Sequence, residues 1–242
     1  MNEFAGSAAP QCGLYGAYDN KSIANRTGVR CSQRSSRGWY SRGYLPHFDS
    51  PHVIQHITYH LADSLPHAAL EQMHAEVEAS VRDDEKRKVE LRQRIETHLD
   101  AGHGSCVLRE SEVAACVVDT WLRFDEERYH LLEWVVMPNH CHILIEPLEG
   151  APLEKIVLSW KNYTARFINE YKNRESRKGR TRVRRAQVWQ REYWDRFIRD
   201  ERHFEAIKRY IRMNPVKAGL VAQPEDWLWG SARWRGENNG ER

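Results

Sequence analysis

Two β-rich runs on either side of a Pro-Asn pair constrain the fold of this chain more than any other feature. Residues 129–137 read YHLLEWVVM, residues 140–147 read HCHILIEP, and only Pro138-Asn139 separates them. Short runs rich in β-branched and aromatic residues form strands, and a two-residue loop joins two such strands as an antiparallel hairpin. The sequence therefore predicts a β-hairpin just beyond the middle of the chain.

Extended and helical patterns alternate around this hairpin. Residues 53–61 and 188–198 have the composition of strands. Long stretches before and after the hairpin have apolar residues at helical spacing, and Asn214-Pro215 is expected to stop the last of them. These stretches are residues 67–98, 110–124, 152–171 and 201–213. The resulting order, β, α, α, β, β, α, β, α, predicts an α+β sandwich in which helices pack on one face of an antiparallel sheet.

Composition limits the organisation and the location of the chain. Residues 1–36 are rich in Gly, Ser, Ala and Asn without a period, so we expect a disordered extension, a domain over residues 37–236 and a tail over residues 237–242. The five cysteines contain no C-x-x-C pair, which argues against a disulfide framework and a cysteine zinc site. There is no signal peptide and no apolar run of about 20 residues, so a cytoplasmic location is predicted.

The second strand of the hairpin begins with two histidines that flank one cysteine. Side chains alternate along a strand, so His140 and His142 face one side and Cys141 faces the other. Two imidazoles on one face can bind the same metal ion. They can equally be ordinary polar residues on a solvated sheet, and the pair alone leaves both interpretations open.

The surrounding segments favour the first interpretation. The segments VVMPNHCHILIEP, SWKNYTARFIN, VWQREYWDRFIRD and YIRMNPVKAGLV occur in this order. Together they resemble the REP-associated tyrosine transposases, which belong to the wider single-tyrosine HUH transposases of the insertion-sequence-200 type. Earlier segments such as RGWYSRGYLPHFD and FDEERYHLLEWVV agree, so the resemblance runs from about Arg37 to about Trp234.

The resemblance implies a fold and a chemistry. The family fold is a ferredoxin-like sheet with an H-hydrophobic-H motif on a central strand, here His140-Cys141-His142, and its nucleophile is a tyrosine on the following helix. The matching residue is Tyr163. The implied reaction is cleavage and transfer of single-stranded DNA through a 5′-phosphotyrosine, with Mg²⁺ or Mn²⁺ held by the two histidines. A polar residue one helical turn after the tyrosine can complete the metal site in relatives, but Phe167 occupies that position and cannot.

Several residues are candidates for contacts with DNA. The resemblance implies hairpins of repeated extragenic palindromes as the substrate, bound by a monomer or a homodimer. The run from Lys172 to Arg185 carries eight basic residues and one acid, which fits a polyanionic partner or a solvated loop. Aromatic residues near it could stack on unpaired bases. The predicted DNA-binding residues are Arg42, His47, Arg166, Arg180, Arg182, Arg184, Arg185 and Trp189.

Two other functions remain open from the sequence. One is a DNA hairpin-binding protein without catalysis, which Phe167 would support. The other is a metal-dependent nuclease that uses water as its nucleophile. His56 and His60 would lie near the metal, or near a DNA phosphate, if their strand ran beside the histidine strand and faced the same way.

Overall fold

A four-stranded antiparallel sheet forms the centre of the fold. The structure is a computed structural model that describes residues 38–41, 46–178 and 187–234. The sheet strands, in chain order, are β3 (Gln55–His60), β4 (Tyr129–Val136), β5 (His140–Pro147) and β6 (Trp194–Phe197), and a separate hairpin is formed by β1 (Gly38–Ser41) and β2 (Pro46–Asp49). The helices are α1 (His67–Ser80), α2 (Asp84–Asp100), α3 (Ser111–Leu122), α4 (Leu153–Lys178) and α5 (Glu201–Lys217).

The strand order is that of a ferredoxin-like fold. The strands lie in the order β4-β5-β3-β6, and each neighbouring pair is antiparallel. With α3 between β3 and β4, and α4 between β5 and β6, the chain follows a βαββαβ path. The predicted hairpin is confirmed, since the Met137 amide donates to the His140 carbonyl at 2.8 Å across the Pro138-Asn139 turn.

The main core lies between the sheet and the two crossover helices. Trp121 of α3 and Trp160 of α4 are fully buried, and both indoles donate hydrogen bonds to buried tyrosine hydroxyls. Cys141, Ile143 and Ile145 of β5 face this core, as the alternation of the strand predicts. The indole N–H groups are thus satisfied inside an otherwise apolar layer.

The predicted α+β fold with helices packed on one face of the sheet is confirmed, and α5 covers the second face as well. Phe204 and Ile211 of α5 pack on Leu144 and Val135, which share the histidine face of the sheet. The amphipathic α5 has to bury its apolar side, and Leu144 provides an apolar contact on the histidine face of the sheet. The histidines therefore lie under a helix and not on a solvated surface.

Two predicted helix boundaries are also corrected. The stretch 67–98 is two helices, because the chain is extended at Val81 and Asp83 caps α2 by accepting a hydrogen bond from the Lys86 amide. Helix α5 continues through Pro215 to Lys217. A proline this close to the end removes only one helical hydrogen bond, which the last turn tolerates.

The predicted extension 1–36 and tail 237–242 lie outside the described residues. Across the part of the chain that the structure describes, there is no helix whose length and apolar content would let it cross a membrane.

Candidate active site

His140 and His142 lie side by side on the covered face of the sheet. Their ring centroids are 4.9 Å apart, and each side chain is 1% exposed. Strand β3 lies beside them with His60 opposite His140 and Thr58 opposite His142. The expected geometry is confirmed, since the two strands are neighbours and their histidines share one face.

Hydrogen bonds fix the orientation of the His140 ring. Its Nδ1 lies 2.7 Å from Oδ1 of Asn139, and the Asn139 amide nitrogen donates to the His103 carbonyl at 2.9 Å. Since the Asn139 oxygen can only accept, Nδ1 of His140 carries the proton. The lone pair of His140 is therefore on Nε2, as a metal ligand requires.

The His142 ring is held in a similar way. Its Nδ1 lies 2.9 Å from the Thr58 hydroxyl, which leaves Nε2 facing α5. Burial lowers the pKa of His140 to about 3, and burial followed by the neighbouring histidines lowers the pKa of His142 well below its usual value. Both rings are neutral at physiological pH, and neutral imidazole is the form that binds metal.

The other histidines of this face differ in their availability. Nδ1 of His60 is shared between the Leu61 carbonyl and the Ser64 hydroxyl, and its ring stacks on Trp194. His56 is 5.5 Å from His142 between ring centroids, and its buried Nε2 has no hydrogen-bond partner among the described residues. His60 therefore has a structural role, whereas His56 presents a free nitrogen beside the site.

Helix α5 brings a tyrosine to the histidines. The Tyr210 hydroxyl lies 3.5 Å from Nε2 of His142, and its ring meets the His142 and His56 rings edge-on. Burial raises the pKa of Tyr210 well above 10, and the carboxylates of Glu96 and Asp100 raise it further. The phenol is therefore protonated and a poor nucleophile unless a positive charge is brought close to it.

A buried ion pair holds α5 in this position. A β-bulge at residue 132 turns Glu133 to the α5 side of the sheet, where the carboxylate is fully buried. Arg212 donates to Glu133 Oε1 at 2.6 Å, and the Ser231 hydroxyl donates to Oε2. Because Arg212 lies between Tyr210 and Asn214 in the sequence, this pair fixes the part of α5 that faces the histidines.

Asn214 lies one helical turn after Tyr210. Its side chain is fully buried, and neither its amide oxygen nor its nitrogen makes a hydrogen bond of normal geometry with the described residues. The amide is close enough to Tyr210 to lower the pKa of that phenol, although burial outweighs this effect. A buried amide without partners costs free energy, so a ligand for its oxygen is expected.

Helix α2 closes the site with two carboxylates. Asp100 Oδ1 lies 3.8 Å from His140 Nε2, and Lys217 of α5 pairs with Asp100 Oδ2 at 3.0 Å. Glu96, one turn earlier, interacts with the Tyr210 hydroxyl, and burial raises the pKa of its carboxyl group. This contact was not predicted, because the charged pattern of residues 67–98 indicated a mostly exposed helix with one buried seam.

The donor set fits a divalent cation. Within the described ranges, no cluster of three or more His, Cys, Asp or Glu side chains is arranged to hold a metal. Two neutral imidazoles and the Asn214 amide oxygen instead offer three neutral donors, and the remaining positions would be open to DNA phosphate and water. Mn²⁺ accepts imidazole readily, whereas Mg²⁺ prefers oxygen.

The structure does not bring Tyr163 to this site, and that prediction is corrected. Crossovers in such folds are right-handed, so α3 and α4 share the Cys141 face of the sheet, opposite to the histidines. Tyr163 on α4 is 55% exposed on the outer side of that layer. Phe167, one helical turn after Tyr163, packs against the main core and does not belong to the histidine face.

The predicted DNA-binding residues have different outcomes. Trp189 is 4% exposed, donates to the Thr164 hydroxyl and packs edge-on against Tyr59, so it cannot stack on a base and that prediction is wrong. His47 is also buried, between Asp195 and Glu192, which is a structural role. Arg166 is exposed on α4. The remaining residues lie outside the described ranges, and their contacts stay predictions; they are Arg42, Arg180, Arg182, Arg184 and Arg185.

Residues 122–214 match the sequence model of the family described as "Transposase IS200 like". This part of the chain is similar to IS200-like transposase domains. The match contains both histidines and ends at Asn214, so it covers the whole of β4, β5 and the Tyr210 turn of α5.

Curated relatives carry related names. A Haemophilus influenzae protein named as a candidate REP-associated tyrosine transposase is 31% identical over 98 residues, which is 40% of this chain and 54% of that protein. The REP-associated tyrosine transposase of Escherichia coli is 29% identical over 101 residues, which is 41% of this chain and 52% of that protein. The chain thus spans about half the length of these relatives.

Two solved structures are also similar. One is a REP-associated tyrosine transposase bound to a REP hairpin, at 14% identity and a TM-score of 0.44, covering 79% of this chain and 82% of that one. The other is a candidate transposase of Deinococcus radiodurans, at 12% identity and a TM-score of 0.29, covering 72% of this chain and 96% of that one.

Proposed function

We propose that this protein cleaves and rejoins single-stranded DNA next to a hairpin, with Tyr210 as the nucleophile and His140, His142 and Asn214 as ligands of Mg²⁺ or Mn²⁺. The observation that carries the proposal is the position of the Tyr210 hydroxyl, 3.5 Å from Nε2 of His142. The names of the curated relatives, which are REP-associated tyrosine transposases, support hairpins of repeated extragenic palindromes as the substrate.

The spacing of the α5 residues agrees with the family pattern. Relatives have a polar residue one turn after the tyrosine, and Asn214 has this position relative to Tyr210. The residue one turn after Tyr163 is Phe167, which is apolar. On a helix, residues four apart lie on the same side, so the phenol and the amide face the same histidines. The buried, unpartnered Asn214 amide is explained if its oxygen binds the cation.

The chemistry follows from the charges around the phenol. A divalent ion, when bound, would withdraw charge from the scissile phosphate and favour ionisation of the nearby phenol. Tyr210 Oη would then form a bond to phosphorus while the bond to the 3′ oxygen breaks, leaving a 5′-phosphotyrosine and a free 3′-hydroxyl. Glu96, which interacts with the hydroxyl, is placed to take the phenol proton, and the leaving oxygen takes a proton from water.

The stored phosphoester makes transfer possible. Attack by another 3′-hydroxyl on the phosphotyrosine reverses the first step and joins two strands without an external energy source.

A covalent adduct tests this proposal. The full chain is incubated with a labelled single-stranded hairpin oligonucleotide and Mn²⁺, resolved on a denaturing gel, and the modified peptide is mapped by mass. We expect the adduct on Tyr210 and none with Tyr210→Phe, while Tyr163→Phe, as the matched control, forms it normally.

Three other outcomes would contradict the proposal. An adduct on Tyr163 would return the nucleophile to α4 and require a large rearrangement of the fold. Cleavage by Tyr210→Phe without an adduct would favour a nuclease that uses water. Hairpin binding without any cleavage in either metal would favour a non-catalytic binding protein.

A further inference from the structure

A cleft between α3 and α4 lies on the sheet face opposite to the histidines. It encloses about 500 Å³ and is lined by residues from both helices and from the loop before β4. A cavity of this size is in the range of sites for small molecules or single nucleotides. The lining residues are Asp119, Thr120, Arg123, Phe124, Arg128, Ser159 and Tyr163.

Two aromatic rings and two arginines converge in this cleft. The Arg128 guanidinium lies 3.9 Å from the centroid of the Phe124 ring, and the Arg123 guanidinium lies 5.8 Å from it. Contact with the ring restricts the freedom of the Arg128 side chain, so its charge is held in place before a ligand arrives. Among the described residues that line the cleft, these two cations stand against one carboxylate, Asp119. Glu127, which does not line the cleft, lies 3.9 Å from Nε of Arg128.

Tyr163 is the exposed one of the two aromatic rings that line the cleft. Its side chain is 55% exposed, which is unusual for a large aromatic ring on a helix whose other aromatic residues are partly or wholly buried. Neither the core packing of α4 nor the proposed reaction on the other sheet face requires an aromatic residue here. An exposed ring beside fixed positive charges is the arrangement on which unpaired bases stack while cations contact the phosphates.

We propose that this cleft binds one unpaired nucleotide of the DNA substrate, with the base on Tyr163 and the phosphate near Arg123 and Arg128. The inference rests on the proposed function, since it assumes a single-stranded DNA substrate. The concave shape and the positive charge of the cleft favour a nucleotide as its ligand. A protein partner would need a larger and flatter contact surface. The cleft would hold a strand segment outside the hairpin, away from the scissile phosphate.

Binding in metal-free buffer separates this inference from catalysis. The full chain is titrated into a fluorescent oligothymidylate of about 12 nucleotides in EDTA, and anisotropy is read at several salt concentrations. Tyr163→Ala should lose about ten-fold in affinity, the effect of one lost stacked base. Tyr163→Phe should bind normally, because the ring and not the hydroxyl makes the contact.

The contribution of the arginines should appear in the salt dependence of binding. Arg128→Ala should lower the slope of log affinity against log salt by about 0.7, as expected for one lost phosphate contact with a single strand. Arg94→Ala is the matched control, since it removes the same charge from α2, where Arg94 pairs with Glu76 and Glu90. Its salt slope should equal that of the wild type. Circular dichroism of each variant establishes that it is folded.

Photocrosslinking locates the nucleotide directly. An oligonucleotide with 5-iodouracil at one position should crosslink to the peptide that contains Tyr163 or Phe124. Wild-type affinity of folded Tyr163→Ala, or crosslinks confined to other peptides, would overturn the nucleotide site while leaving the Tyr210 chemistry intact. Loss of self-association in Tyr163→Ala with unchanged DNA binding would overturn it in favour of a second copy of the chain.

Two further controls keep the two proposals apart. Tyr210→Phe should bind the oligonucleotide with the same dependence on Tyr163, because binding here does not use the nucleophile. A wild-type chain that binds no single-stranded DNA would overturn the proposed function and the cleft together.

Discussion

The Tyr210 hydroxyl lies 3.5 Å from Nε2 of His142, although 68 residues separate the two in the sequence. The contact exists because β5 turns His142 away from the main core and α5 returns across that same face of the sheet. The position of α5 therefore decides whether a tyrosine hydroxyl lies beside the two histidines.

Arg212→Ala should destabilise the fold by about 2 kcal/mol and reduce cleavage more than DNA binding. The substitution leaves the fully buried Glu133 carboxylate without the guanidinium that donates to it at 2.6 Å. Helix α5 would then be held less firmly over the histidines. Urea unfolding measures the first effect, and adduct formation against anisotropy measures the second.

The double variant Arg212→Ala/Glu133→Gln is the control for this pair. Removing both charges should recover part of the stability, because an uncharged amide is less costly to bury than an unpaired carboxylate. A cost below about 0.5 kcal/mol for Arg212→Ala would show that the pair does not anchor α5.

Asn214→Ala should lower the affinity for Mn²⁺ by about ten-fold or more, because it removes one of the three proposed protein donors. Asn214→Asp should restore or increase the affinity, since a carboxylate oxygen binds Mn²⁺ more strongly than an amide oxygen. Electron paramagnetic resonance of free Mn²⁺ measures binding without any need for activity.

Asn169→Ala is the matched control for the amide. Asn169 lies on α4 and donates to the Ala165 carbonyl, away from the histidine face. Its loss should leave the Mn²⁺ affinity unchanged. Equal Mn²⁺ affinities for Asn214→Ala and the wild type would remove Asn214 from the ligand set.

Stability in the absence of metal should fall as the pH is lowered below about 6.5. Burial lowers the pKa of His56 to about 3 and that of His60 to about 4, so both are neutral in the folded chain at pH 5. The unfolded chain binds protons below about 6.5, so acid favours unfolding, and the stability is fully present above that pH. Each such histidine contributes a slope of about 1.4 kcal/mol per pH unit between its two pKa values.

His60→Gln should make this pH dependence shallower by about one proton between pH 4 and 6.5. Urea unfolding at pH 5 and pH 7.5 measures the change, with His67→Gln as the control, because the His67 side chain is 83% exposed on α1. An unchanged slope in His60→Gln would mean that this histidine binds its proton equally in both states.

The hairpin and the histidine face could be predicted because both follow from local rules. A period of two places His140 and His142 together, and the Pro138-Asn139 turn fixes the pairing of β4 with β5. The order of elements also gave the α+β class. None of these steps requires knowledge of which helix covers which face.

The tyrosine that lies beside the histidines could not be predicted in the same way. A helical pattern shows that α4 is amphipathic, but Tyr163 faces the histidines only if α4 packs on their side of the sheet, and the right-handed crossover places it on the other. One signal was present in the sequence: Tyr210 and Asn214 have the spacing of a nucleophile and a polar ligand, whereas Tyr163 and Phe167 do not. The turn at residues 81–83 was not predicted, because Asp83, which caps α2, cannot be distinguished in the sequence from the other charged residues around it.

The Thr58 hydroxyl gives the last prediction, since it controls the nitrogen that His142 offers. It lies 2.9 Å from His142 Nδ1 and accepts the proton of that nitrogen when Nε2 binds metal. Thr58→Val keeps the shape of the side chain and removes this acceptor, so the ring loses its preference for the binding tautomer. We expect a loss of about ten-fold in Mn²⁺ affinity, and a matching loss of adduct formation at subsaturating metal.

Thr58→Ser keeps the hydroxyl and should behave as the wild type. At saturating Mn²⁺ the adduct should return in Thr58→Val, because the nucleophile on α5 is untouched. Unchanged Mn²⁺ affinity in Thr58→Val would show that His142 is oriented by its packing under Tyr210 and not by this hydrogen bond.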